Sequence, residues 1–309
     1  MTPQIIKLSD DVPFWNNLIY ADSGAGKTVL AGSDRRVLFI APEDSGTLSA
    51  LRMGSAASKI KVNEWPDLIA AYEYLYDNPQ ILAEFDVLAI DSVTEMQAMC
   101  MRYLLKMSRA DKLQRDQDPD QPQLQEYGKL HILFEKMVRA FNDLPINVLY
   151  TALARKVEDA DHNEFLVPEI QGKDYGIAMK IVALMTSYGY LKVEIVDVPD
   201  PTDENPNRTK PVKQRTIYWE DTGTIRGKDR TNALAPYTVN ATLQQIRRAI
   251  KGELVRNADG RIIKRDDADA TKESLKKVVI KASPQPPKAV ASVPDVKEDD
   301  AVELDSVEA

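Results

Sequence analysis

The residues with the clearest chemical content are Ala21-Asp22-Ser23-Gly24-Ala25-Gly26-Lys27-Thr28, a phosphate-binding loop with its G-K-[ST] core intact and Ala21 where a Gly more often stands. Apolar Leu18-Ile19-Tyr20 leads in and Val29-Leu30-Ala31 leads out, the strand–loop–helix context such a loop requires. Gly24 and Gly26 let the backbone turn its N–H groups inward around phosphate oxygens, beside the positive end of a helix. Lys27 suits the β- and γ-phosphates and the Thr28 hydroxyl suits Mg²⁺, so the expected ligand is ATP with Mg²⁺.

That loop needs a second acid to hold the metal's shell. Asp91 closes the apolar run Val87-Leu88-Ala89-Ile90, the strand-end context expected of a Walker B acid. Hydrolysis also needs a group that aligns the attacking water. Ser92 stands where many P-loop ATPases place a Glu, so two nearby carboxylates are candidates. Glu43 ends the strand after the loop helix and would point over the γ-phosphate. Glu95 lies one helical turn past Asp91, where capping a helix is an equal use for it. Position favours Glu43, with Asp44 beside it as the open alternative.

The elements that must hold these residues read as alternating strands and helices. Short continuous apolar runs at 36–41, 85–92 and 146–151 are strands buried on both faces. Helical spacing marks 67–76, 94–107, 127–141 and 177–185. The polar stretch 109–123 reads as a loop, 155–173 as a possible hairpin, and 187–197 with 214–220 as an antiparallel pair. This predicts a three-layer α/β domain with a mostly parallel sheet and an antiparallel extension. The expected organisation is a core over 1–238, a C-terminal helix over 239–256, and a basic linker with a disordered acidic tail over 257–309.

Charge supports that last division. The net charge is −8, yet 290–309 alone hold seven acids and one base, while 247–288 hold twelve bases and six acids. A basic stretch ahead of an acidic tail suggests a nucleic-acid contact with a competing anion, or a solvated helix followed by a disordered end. The opening residues lack the layout of a signal peptide, and no apolar run nears the roughly 18 residues of a membrane span. Cys100, the single cysteine, excludes a disulfide framework. These features predict a cytoplasmic protein with no membrane partner.

Phe39-Ile40-Ala41-Pro42-Glu43 and Val87-Leu88-Ala89-Ile90-Asp91-Ser92 resemble the glutamate and Walker B strands of RecA-type recombinase cores. More closely, the pattern is similar to phage-encoded RecA-like NTP-binding proteins, a group with ATPases of single-strand annealing and recombination. Tyr127-Gly128-Lys129-Leu130, Asn147-Val148-Leu149-Tyr150-Thr151-Ala152 and Gly227-Lys228-Asp229-Arg230 carry the likeness across residues 12–238. The resemblance implies that Lys27 and Thr28 serve phosphate and Mg²⁺, that Asp91 serves the metal shell, and that Glu43 serves the water. It implies a γ-phosphate sensor at Thr151, a position that is usually Asn or Gln. It also implies that Lys228 and Arg230 reach the phosphates of a neighbouring subunit, so the chain is expected to form a homo-oligomer. DNA-facing loops would be 109–123 and 155–173, with Phe165 as a stacking ring. By charge the stretch after Arg247 is the better site for single-stranded DNA. A single-strand-binding or other recombination protein is a further partner. Two other functions stay open: a nucleotide-dependent assembly or packaging factor that binds protein, and a P-loop kinase, which would need an Arg-rich lid that is not visible in the sequence.

Overall fold

Strand runs that are apolar at every position require cover on both faces, and the computed structural model provides it. It describes residues 14–42, 46–110, 121–172, 175–200, 202 and 208–267, apart from the side chains of 109 and 110. Glu43 and Asp44, residues 111–120 of the polar stretch 109–123, Lys173 and the charged stretches past 267 lie outside these residues.

Strand β1 (Asn16–Ala21) feeds the glycine loop and helix α1 (Lys27–Ala31). β2 (Val37–Ala41), the short α2 (Leu48–Arg52), β3 (Ser58–Lys61), α3 (Trp65–Asp77), α4 (Pro79–Leu82) and β4 (Val87–Asp91) follow. The long helices α5 (Val93–Ala110) and α6 (Leu124–Asn142) precede β5 (Asn147–Glu158), which turns back as β6 (Glu164–Pro168). After α7 (Gly176–Ala183) come β7 (Ser187–Pro199), β8 (Thr209–Tyr218), β9 (Lys228–Asp229), β10 (Tyr237–Val239), α8 (Leu243–Ile250), β11 (Val255–Arg256) and β12 (Ile262–Ile263).

The main sheet runs β10-β8-β7-β1-β5-β4-β2-β3. From β7 to β3 every neighbouring pair is parallel, while β8, β10, β6 and β9 attach antiparallel. Successive side chains on a strand point to opposite faces, so each apolar run divides between two cores. Leu18, Tyr20, Ile40, Leu88, Ile90, Val148 and Tyr150 pack under α3, α5, α6 and α7. Ile19, Ala21, Phe39, Ala89 and Leu149 pack on the other face with Leu30, Trp219, Leu243 and Ile246. The three-layer arrangement with its antiparallel extension is therefore as expected from the sequence.

Helix starts follow local chemistry. Pro66 opens α3, and the Asp67 carboxylate accepts the backbone N–H groups of Asn63 and Glu64 at 2.9 and 3.1 Å. Thr242 and Gln245 form the reciprocal cap of α8.

The C-terminal helix expected over 239–256 is corrected to Leu243–Ile250. Tyr237 to Val239 instead pair with Tyr218 to Thr216, completing the sheet edge, and Val255–Arg256 pair with Ile262–Ile263. Leu254 and Ile262 are buried, so the folded core extends into the segment read as linker. Sheet partners from distant sequence override a helical apolar spacing here.

Candidate nucleotide-binding site

The loop sits at the carboxyl edge of β1, with β5 and β4 on one side and β7 and β8 on the other. Gly24 and Gly26 hold φ of +79° and +99°, left-handed conformations that residues with a Cβ rarely adopt. Lys27 Nζ donates to the carbonyls of Ala21 and Asp22, each at 2.9 Å, which folds the lysine over the loop. Burial pulls the Lys27 pKa down, and the nearby Asp91 and Asp22 oppose that shift. On the β7 side, Tyr190 donates its hydroxyl to Asp22 Oδ2 at 3.1 Å. Burial, aided by the Asp22 charge, pushes that phenol up to about 12, so it remains a donor at neutral pH.

Asp91, at the end of β4, joins two hydroxyls. Thr28 Oγ1 donates to Asp91 Oδ2 at 2.6 Å, and Thr151 Oγ1 donates to Asp91 Oδ1. The register explains the second contact, since Asp91 lies beside Thr151 across β4 and β5. Thr151 is 1% exposed, so it is placed to orient Asp91. The peptide from Asp91 to Ser92 is cis. Ser92 Oγ accepts the Glu95 N–H at 3.3 Å, and Arg102 donates to Glu95 Oε1 at 2.5 Å.

A cleft of about 450 Å³ connects these groups. Ser23, Gly24, Gly26, Lys27, Thr28, Asp91, Ser92 and Glu95 contribute to its walls, together with Gly46, Ser49 and Leu153. The donor set fits a magnesium–triphosphate: a glycine nest and a lysine for phosphate, with a hydroxyl and carboxylate already in contact for the metal side. Among the described residues no cluster of three or more His, Cys, Asp or Glu could hold a metal alone. An ion here would thus rely on Thr28, Asp91 and the ligand's own phosphates, the usual manner for Mg²⁺.

Arg215 on β8 also lines the cleft and is a site residue that motif reading misses. Its Nε donates to the Ala25 carbonyl at 3.4 Å. The available signal was alternation: Arg215 shares a strand face with Ile217, which is buried in the core, so a cation there marks where that face meets the sheet edge.

Lys228 and Arg230 stand elsewhere. Lys228 pairs across from Tyr188, which neighbours Leu18 near the start of β1, away from this chain's loop. Lys228 Nζ and Arg230 Nη2 donate to the carbonyls of Val182 and Ala183 at 3.2 Å each, capping the last turn of α7. One expected DNA contact is corrected. Phe165 is 1% exposed and packs edge-on against Tyr175 under the Arg226 guanidinium, so its ring is not free to stack. Arg247 is held by Asp34 at 2.7 Å and Asp86 at 3.0 Å, with only 11% of its side chain exposed.

The family described as an AAA domain (AAA_24) matches residues 14–231. The chain belongs to that family. Its sheet and loop are those of a RecA-like P-loop NTPase, and family membership implies nucleotide binding and hydrolysis, typically with Mg²⁺. Comparison with curated proteins gives no match. Among solved structures, the chain is similar to the flagellar accessory protein FlaH from Methanocaldococcus jannaschii, with 11% identity, TM-score 0.32, and coverage of 74% of this chain and 86% of that one. No helix among the described residues is long and apolar enough to cross a membrane.

Proposed function

We propose that this AAA-family chain is a Mg²⁺-dependent ATP-binding and hydrolysing protein of phage type that acts in DNA recombination or single-strand annealing. The observation that carries the nucleotide chemistry is the Thr28–Asp91 hydrogen bond beside Lys27 in one cleft. Bound Mg²⁺ would neutralise charge on the β- and γ-oxygens. Thr28 would hold that ion and Asp91 would orient its shell, while Thr151 fixes the Asp91 carboxylate. Lys27 leaves its two carbonyl partners for the phosphates. Glu43 aligns the water, and Lys228 and Arg230 complete a neighbouring subunit's site in a homo-oligomer.

Supporting a single-stranded DNA partner, Leu124, Tyr127, His131, Arg155 and Gln171 line a second cavity of about 720 Å³ beyond β5. Its apolar, aromatic and basic lining suits a base with its phosphate. The two cavities are tied through α5. Gln97 donates to the Gln171 carbonyl at 3.0 Å and accepts the Gln171 N–H at 2.6 Å, while Ser92 and Glu95 at the start of α5 line the nucleotide cleft.

A protein-binding assembly factor is the second reading, favoured by the exposed apolar side chains Leu48, Leu51 and Met53 around α2. ATP turnover measured with and without single-stranded DNA tests the choice. Turnover raised by DNA, with affinity that falls as salt rises, supports recombination. Turnover without any DNA affinity at low salt supports the assembly role.

A further inference from the structure

The sheet order sets Asp91 and Arg215 on opposite sides of the phosphate loop. β4 lies two strands from β1 in one direction and β8 two strands in the other. Four interstrand steps separate those strands by about 19 Å. A triphosphate whose metal-bound end lies beside Thr28 and Asp91 therefore extends its nucleoside toward β7 and β8.

Arg215 is fixed at that far end. Its backbone N–H donates to Asn240 Oδ1 at 2.8 Å and its carbonyl accepts the Asn240 N–H at 2.7 Å. The side chain crosses to the loop, where Nε meets the Ala25 carbonyl. A Cβ on Gly26 would lie 3.1 Å from that Nε, so the glycine also makes room for the guanidinium. Arg215 is exposed, and no carboxylate among the described residues forms an ion pair with it within 4 Å. One donor is used on the loop, leaving the planar cation and its remaining donors facing the cleft.

Resting on the nucleotide reading above, we infer that Arg215 binds the nucleoside end of the ligand, its guanidinium plane lying against the base. A base presents a π-face to a flat cation, which the Lys27 ammonium at the other end cannot exploit in the same way. The contact also links β8 to the loop, so the antiparallel extension becomes part of the nucleotide site.

The test compares Mg²⁺–ATP, Mg²⁺–ADP and Mg²⁺–tripolyphosphate binding by calorimetry in the full chain. Arg215→Ala is expected to weaken ATP and ADP by roughly 2- to 30-fold while leaving tripolyphosphate, which has no base, unchanged. That unchanged value also reports that the loop remains folded. Arg215→Lys keeps the charge but not the plane and is expected to behave like Arg215→Ala. Equal losses for all three ligands would assign Arg215 to holding the loop and overturn the inference. So would full rescue by lysine, or no change in ATP binding. A wild-type protein that binds neither ATP nor tripolyphosphate would instead overturn the nucleotide reading and this inference with it.

Discussion

The cleft concentrates its chemistry in a few side chains with separable roles. Lys27→Ala should reduce ATP affinity at least tenfold by calorimetry, since the loop then offers only backbone dipoles to the phosphates. Burial lowers the Lys27 pKa, so raising the pH removes its charge earlier than it would for an exposed lysine. Wild-type ATP affinity should therefore fall on the alkaline side of neutrality below the ordinary lysine range, and that decline should be absent from Lys27→Ala. Glu43→Gln should lower kcat by about 100-fold or more with ATP affinity retained. A normal rate would remove Glu43 from its role and turn attention to Glu95 in the cleft wall. Thr151→Val keeps the shape of a buried residue but deletes the hydroxyl that orients Asp91. The Mg²⁺ concentration needed for half-maximal ATP turnover should rise roughly tenfold, as for other partners that orient a metal-side group. Thr28 and Thr151 meet Asp91 from 63 and 60 positions away, which is why a motif names Lys27 and Thr28 while leaving the duty of Thr151 open.

At the scale of elements, α8 illustrates how the antiparallel extension is fastened to the parallel core. Its apolar residues Leu243, Ile246 and Ala249 enter the same core as α1 and the loop strand. Arg247 joins Asp34, beyond α1, to Asp86, ahead of β4. Arg36 holds the Asp86 carboxyl below the usual range through a hydrogen bond, and Arg247 adds to that effect. Arg247→Leu leaves Asp34, whose side chain is fully buried, without its cation, and should cost about 3 kcal/mol by urea denaturation. Asp86, with its folded pKa depressed in part by Arg247, stabilises above its unfolded pKa and loses that contribution as pH falls through the depressed value. The gap between wild type and Arg247→Leu should accordingly narrow in acid, below the ordinary carboxylate range. Sequence spacing locates this helix but overextends it, because Val239 and Val255 obtain their backbone partners from β8 and β12.

For the whole molecule, the open issue is how nucleotide chemistry reaches a partner. The Gln97–Gln171 pair joins the helix after the Walker B strand to the wall of the second cavity, giving a physical route between them. If that cavity takes single-stranded DNA and the acidic tail competes for basic surface, removing residues 290–309 should strengthen DNA binding and steepen its salt dependence. An unchanged affinity by fluorescence anisotropy would dispose of the competing tail. Sizing the protein with an ATP analogue, with and without DNA, tests the homo-oligomer in which Lys228 and Arg230 reach a neighbour.

By itself, the sequence determined the glycine loop, the acid that ends β4 and the layered α/β architecture. Those signals are local: glycines at fixed spacing, an acid after an apolar strand, and runs whose period reveals burial on both faces. Tertiary structure alone decided that Thr151 holds Asp91, that Lys228 and Arg230 cap α7, that Phe165 and Arg247 are internal, and that Arg215 meets the loop. Each depends on which distant strand or helix lies alongside, and a charged or aromatic residue has the same local appearance whether it serves a ligand or a neighbouring element. The glycine loop announces a phosphate; the order of strands around it decides which side chains can approach its two ends.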